Sequence, residues 1–537
     1  MAQEARDIIM SSRSSAASPL VSLPITYNNG RNSPTPTTPD HTYQYIYLEW
    51  NSQIPENEIS GLPTSIKRYT EPFAWSKSQK KWTLFLACGS TFLAALCPGA
   101  YTAGLDEMME EWHVSRLVLL GAFSVFAVGF ATAPMFLAPL SEVYGRWPVF
   151  ISTLALVNVC HLGTALCTNI PGLYLGRFFV GVGTSTFSTM IGGVISDIYH
   201  TDSRSIPMSI FTTTVLSGTA IGPTIFSLIV VHLGWRWTNW FQLIINTVSF
   251  GVLWFGLKET RGDVLLRRKA MALNAWLDER ERVAEEKQVM GRKVRWKVKA
   301  DEAKQNLWSM TKVSLTRPFH LLFTELVVFW FSMWTAFAWG VLYLFLESIP
   351  LVFRETYAFD LIQIGLVFLA LFVGAIMGNI LTILMEYLIA TYIPSTNIPE
   401  PERRLYASCL LSILFPIGLF WYGFSASPNN HWILPTLSTG CATIGIYSIY
   451  LAVCNYFADI YHRYASSALA AQGFSRNMMA AAFPLITDKM FLRLGFAGAS
   501  GLLGGVAVLL TGVPWALVFW GGKIRARSNF AKTYWVN

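Results

Sequence analysis

Long apolar runs alternate with short polar joints along most of this chain. Six runs start near Trp82, Leu117, Pro148, Leu173, Ile206 and Trp237, and six more start near Phe319, Ile364, Tyr406, Trp432, Tyr464 and Ala497. About twenty apolar residues at 1.5 Å rise cross roughly 30 Å of hydrocarbon, so each run predicts a membrane-spanning helix. The expected fold is an all-α membrane protein with twelve transmembrane helices in two six-helix bundles. The pattern divides the chain into a disordered tail (1–81), a first bundle (82–257), a connector (258–318), a second bundle (319–522) and a short C-terminal tail (523–537).

The stretch from Ser11 to Asp40 is rich in Ser, Thr, Pro and Asn and lacks the apolar content to offset its ordering entropy, which predicts a disordered tail. Its hydroxyls offer phosphorylation sites, as any such region does. No apolar run precedes Trp82, so a cleavable signal peptide is not expected and the first span serves as signal anchor.

Composition agrees with the pattern. Of 537 residues 53% are apolar and 13% charged, with mean hydropathy +0.41, against about 25% charged in a soluble protein. The net charge is +8, and the connector, with sixteen basic and nine acidic residues, accounts for nearly all of it. That placement beside apolar spans argues against a nucleic-acid binder. Within the connector, Asp278 to Lys287 reads as a solvated helix, while Val264-Leu-Leu-Arg-Arg-Lys reads either as solvated or as lying on an anionic leaflet. The seven cysteines are scattered through apolar runs with no disulfide or metal-ligand spacing, and no metal site is expected.

Lys and Arg in the joints set the orientation, because cytoplasmic loops hold the basic excess. With the N-terminus inside, inner joints carry residues such as Lys80, Lys81, Arg146, Arg204, Arg403, Arg404 and Arg525. Outer joints carry Arg116, Arg236, Arg354, Lys489 and Arg493, and the first is dominated by Asp106, Glu107, Glu110 and Glu111. Both termini are therefore expected in the cytoplasm. Asp197-Ile-Tyr-His and Asp459-Ile-Tyr-His close the fourth and tenth spans, the same place in each half. Two parallel halves put a substrate site near the midplane between them.

Three segments carry the chemistry. After the second span comes Ala138-Pro-Leu-Ser-Glu-Val-Tyr-Gly-Arg-Trp-Pro-Val-Phe150, where a carboxylate at a helix end precedes a glycine that permits chain reversal. The fourth span, Leu173-Tyr-Leu-Gly-Arg-Phe-Phe-Val-Gly-Val-Gly, places Arg177 at depth, where its charge must face the bundle interior or a wet cavity. The fifth holds Gly218-Thr-Ala-Ile-Gly222-Pro223, a small-residue pair for close helix approach followed by a kinking proline.

These segments resemble motifs A, B and C of the major facilitator superfamily, in the form found in fungal drug:proton antiporters. Glu142, Gly145 and Arg146 stand at the acidic, turn and basic positions of motif A, while Ala138 and Trp147 depart from it. The resemblance implies a loop that latches the halves together when the carrier opens outward. It implies proton transfer at Arg177, against the alternative of an arginine tying helices through carbonyls. It implies antiport at Gly218, Gly222 and Pro223, although Phe226 and Ser227 stand where the signature has glycines and ordinary packing explains the same residues. Similar matches occur at Glu259 to Ala270, Arg317 to Glu325, Tyr343 to Glu347 and Tyr464 to Arg476, so the resemblance covers roughly residues 75 to 532.

Buried acids bear on the substrate. Glu325 lies just inside the seventh span and Glu386 near the inner end of the eighth. Trp330, Trp334 and Phe337 follow Glu325 at i, i+4, i+7 spacing. An acid with an aromatic face suits a lipophilic cation, although aromatic residues in spans also face lipid or pack.

The expected function is a secondary active transporter: a proton-coupled antiporter that exports small amphipathic or cationic compounds, such as drugs, polyamines or secondary metabolites, from the plasma membrane. Its partners are the small-molecule substrate, protons and membrane lipids; no nucleic acid or cofactor is expected, and the chain acts as a monomer. A proton-coupled importer or a facilitator shares motifs A and B and is the alternative. A membrane enzyme would need a converging catalytic set, and the eight histidines are dispersed. A receptor does not call for two six-span halves.

Overall fold

Each predicted apolar run is a helix in the computed structural model, which describes residues 44–52, 66, 68–200, 203–286, 294–299, 307–392, 400–461 and 464–527. The Ser11 to Asp40 stretch lies outside the described residues. Spans one to six are Lys77–Ala103, Arg116–Tyr144, Arg146–Ala165, Ile170–Thr189 continued by Ile191–Ile198, Ser205–Leu233 and Arg236–Gly256. Spans seven to ten are Leu326–Tyr357, Leu361–Val367 continued by Leu369–Tyr392, Glu400–Leu411 continued by Leu414–Ser425, and Ile433–Tyr461. Spans eleven and twelve share the helical stretch Ala465–Arg527, which turns at Gly495 with φ 70°.

Span seven starts later than Phe319. A helix Leu307–Thr324 runs out of the connector first, and Glu325, with extended backbone, separates it from Leu326. Large apolar residues such as Val248, Phe255, Leu509 and Phe519 are exposed on the outside of the bundle, as a lipid-facing surface requires. Within the halves, span one packs on five, two on four, seven on eleven and eight on ten. The halves meet where span two touches eleven and span five touches eight. The Ser124 hydroxyl donates to the Ala481 carbonyl at 2.7 Å, and the Thr224 hydroxyl donates to the Gly365 carbonyl at 2.6 Å.

The tail and connector depart from the simple pattern. Residues Gln44–Tyr47, inside the stretch expected to be disordered, form strand β1, which pairs in parallel with β2 at Val294–Lys297. The helix Gly262–Glu286 supplies the reason. Its Leu266, Ala270, Leu273 and Leu277 lie at i, i+4, i+7, i+11 and bury against Leu48, Ile66, Trp296 and Val298. Asn274 locks the strand by accepting from the Trp296 amide at 2.8 Å and donating to its carbonyl at 2.9 Å. Val264, Leu265 and Leu266 are all buried, Leu266 in this cluster and Leu265 against Trp75 and Ile198, rather than solvated or turned to a leaflet.

Candidate functional site

The two ends of the bundle differ. At the end bearing the connector, a cavity of about 860 Å³ opens between the halves, lined on one side by Glu142, Arg146 and Arg204 and on the other by Arg317, Asp459 and Asn477. At the far end the halves are tied by ion pairs. Arg116, which opens span two, reaches Glu347 of span seven at 2.6 Å and Asp488 of span eleven at 3.2 Å, and it also pairs with Asp106 at 3.2 Å. Asp106 in turn takes Arg354 of span seven at 2.6 Å. Glu347 is fully buried, so its charge depends on Arg116 for compensation. Beside this clamp, Arg236 donates to Glu111 and holds its carboxyl below the usual carboxylate range, so that link weakens only as pH falls through the lowered value.

The loop after span two is built around a carboxylate from another segment. Gly145 has φ 107° and ψ 163°, a conformation essentially reserved for glycine. Directly after it, Glu259 accepts from the amides of Arg146 at 2.9 Å and Trp147 at 3.2 Å, capping the N-terminus of span three. The same carboxylate accepts from the amides of Thr260 and Arg261 at 3.0 and 2.9 Å. Arg146 pairs with Asp197 at 3.2 Å and donates to Ser141 at 2.7 Å, and Arg261 reaches Asp197 at 3.4 Å. Asp197 thus anchors the loop to span four, a role the repeated Asp-Ile-Tyr-His does not disclose. The second copy differs in that Asp459 lines the cavity. Glu142 also faces the cavity, on the wall opposite span eleven.

Higher in the bundle, Arg177 is 2% exposed, with its guanidinium 4.3 Å from the Tyr101 ring centre and 4.7 Å from that of Phe126. Its Nε and Nη2 have no hydrogen-bond partner among the described residues, so these groups do not tie helices through carbonyls. Gly218 and Gly222 bring span five against span one. A Cβ on Gly218 would meet Ala95 Cβ at 2.6 Å, and one on Gly99 would meet Pro223 Cδ at 2.3 Å.

Sequence comparison matches this arrangement to known carriers. The profile of the Major Facilitator Superfamily matches residues 87–484. The chain belongs to that superfamily. It is 30% identical over 464 residues to transporter paaT of Penicillium rubens, covering 86% of this chain and 82% of that one. It is 31% identical to the multidrug transporter mdrA of Aspergillus fumigatus, covering 86% and 74% of the two chains. It is also 31% identical to the multidrug transporter FLU1 of Candida albicans, covering 84% and 73%. A peptide transporter crystallised with alafosfalin superposes with TM-score 0.59 at 13% identity, covering 86% of this chain and 99% of that one, which shows the fold. The protein is a membrane transporter, not an enzyme.

Against this superfamily frame, the predicted substrate residues do not converge. Trp334 and Phe337 are buried in the second half, Phe337 packing on Phe415 and Phe483, whereas Trp330 is 47% exposed on the outer face. Glu325 is buried at the start of span seven, where the Tyr461 hydroxyl donates to it at 3.5 Å. Glu386 is half-buried on span eight. None of these five lines the described cavity. The reason is geometric: their common spacing defines a helical stripe, but its edges reach both the core and the lipid surface. Arg116, Glu259, Glu347, Arg476 and Asp488 were not singled out by sequence reasoning. The one available signal was that an ionisable residue inside a span is a functional candidate, which applies directly to Arg476.

Proposed function

We propose that the protein is a proton-coupled antiporter that exports small amphipathic organic compounds from the cytoplasm across the plasma membrane by alternating access. The reading is carried by one observation: ion pairs join the halves at the far end while the cavity opens at the connector end. With the basic joints assigned to the cytoplasm, this is the state that loads substrate from inside. The names of the related multidrug transporters favour export. The cationic class drawn from Glu325 and Glu386 gains no support from their placement.

Coupling is assigned to the clamp. In the outward-open state Glu347 takes a proton from outside, and closing of the far end re-forms its pair with Arg116 and drives that proton inward. Arg177 keeps its charge at working pH, so it acts on coupling through its field rather than by giving up a proton. One pH unit supplies about 1.4 kcal/mol per proton, a tenfold accumulation. In proteoliposomes given such a gradient, ethidium, spermidine and 2-naphthoate serve as probes. At least one should accumulate on the acidic side, and Arg177→Ala should lose gradient-driven accumulation more severely than downhill exchange. Flux of every probe indifferent to the gradient would replace the antiporter with a facilitator.

Orientation has a separate test. The Glu279 side chain is 69% exposed on the connector helix. In a cysteine-free background, Glu279→Cys should react with an impermeant maleimide only after permeabilisation. Labelling in intact cells would invert the topology.

A further inference from the structure

Two arginines lie inside the bundle among aromatic rings. Arg476 on span eleven repeats in the second half what Arg177 does in the first. It is 2% exposed, its guanidinium lies 4.3 Å from the Trp339 ring centre and 4.8 Å from that of Tyr450, and its Nε and Nη1 have no hydrogen-bond partner among the described residues. Tyr343 stands within electrostatic reach of both guanidiniums. It also packs across the interface on Phe123 with ring centres 5.8 Å apart. The two boxes therefore share a wall between the halves. Cation–π contacts recover only part of what burying a guanidinium costs, so each arginine keeps buried donors that an anion would satisfy.

The approach to this layer is lined by charges of both signs. Arg146, Arg204, Arg261 and Arg317 line the cavity against Glu142 and Asp459, with Asp197 behind them. Gly473 and Asn477, which flank Arg476 in sequence, lie in the cavity wall, whereas Arg177, Arg476 and their rings do not, so the layer lies behind that wall. Among the described residues, neither Glu325 nor Glu347 of span seven forms an ion pair with these arginines. Glu325 precedes Trp339 by fourteen residues, about 21 Å along a helix, and Glu347 is taken by Arg116.

We propose that Arg177 and Arg476, with the rings between them, bind small aromatic carboxylates, so that the transported compounds are organic anions. This rests on the transport reading and names the substrate class. Four guanidinium nitrogens are unpartnered, two on each arginine, and the Nε and Nη2 of Arg177 form the fork that a carboxylate accepts from. Tyr101, Phe126, Trp339 and Tyr450 supply faces for an aromatic body. A lipophilic cation in the same place would sit beside two guanidiniums.

The test is equilibrium binding of radiolabelled 2-naphthoate to the purified full-length protein, compared with 2-naphthamide and 2-naphthylmethylammonium. The acid should bind saturably and about tenfold or more tighter than the amide, and the ammonium should not compete. Arg476→Gln should weaken naphthoate binding by about tenfold or more and amide binding by less, with Arg476→Lys intermediate. Equal binding of acid and amide, preference for the ammonium, or no saturable naphthoate binding would overturn the proposal. The three-ligand comparison needs only the wild-type protein, so a variant that fails to fold does not blunt it. No gradient is applied, so absent proton coupling leaves this result untouched, and an absent carboxylate preference leaves the antiport reading standing.

Discussion

Replacing Arg116 with alanine should empty the state described here in favour of one open at the far end. Arg116 is the hub of the clamp: it meets Asp106 from its own half and Glu347 and Asp488 from the other. Its side chain is 25% exposed while that of Glu347 is fully buried, so the substitution leaves an acid charge without compensation in the closed interface. Removing one partner of a buried pair costs about 3–5 kcal/mol, and partial exposure of Arg116 and the second arginine at Asp106 lower that to about 2–3 kcal/mol. The penalty falls only on the closed form, because the clamp is absent once the halves part. A bias of that size shifts a conformational balance roughly 30- to 160-fold. Leu346, 1% exposed and next to Glu347, reports the change. Leu346→Cys in a cysteine-free background should react slowly with an impermeant maleimide, and much faster when combined with Arg116→Ala. Equal rates would mean that the ion pairs do not hold the far end shut.

Why the spans are legible in sequence and the clamp is not follows from what each depends on. A span is a local property, since backbone groups in hydrocarbon must bond within the helix and its length is fixed by bilayer thickness. The clamp is a property of pairing. Arg116 and Glu347 are 231 positions apart, and sequence supplies their charges without their partners. Motif A is legible because Gly145 needs a special backbone, yet the carboxylate that completes it, Glu259, comes from the segment after span six. The strand Gln44–Tyr47 hides in a polar tail because four residues carry little pattern and its partner lies in the connector. The stripe of Trp330, Trp334 and Phe337 shows the converse limit: helical period tells which residues are neighbours, while neighbouring helices decide which are buried. Arg476 was within reach, since it stands twelve residues after Tyr464 in an apolar run, but span eleven is matched by its whole pattern and the single charge is easily passed over.

Gly145→Leu should abolish transport, and the structure gives the loss a component of stability as well as of conformational switching. The sequence alone suggests a variant that folds normally and fails to switch, because a loop latch lies outside any core. The geometry says otherwise. A Cβ at position 145 would lie 2.1 Å from Glu259 Oε2, and φ 107° is strained for any side chain. Strain of this kind costs about 1–3 kcal/mol. Displacing Glu259 adds the loss of charge-assisted bonds from four backbone amides, of which the cap on span three alone is worth about 1 kcal/mol. The variant should therefore show a lowered melting temperature and reduced yield in addition to no transport. Glu142→Gln separates the two effects, because Glu142 faces the cavity and takes no part in the Glu259 cap. That variant should keep the wild-type melting temperature while slowing transport, as expected if the motif A loop latches the halves when the carrier opens outward and Glu142 supplies its acid. A Gly145→Leu protein with wild-type melting temperature would show that the chain relaxes around position 145 and that Glu259 does not hold span three in place.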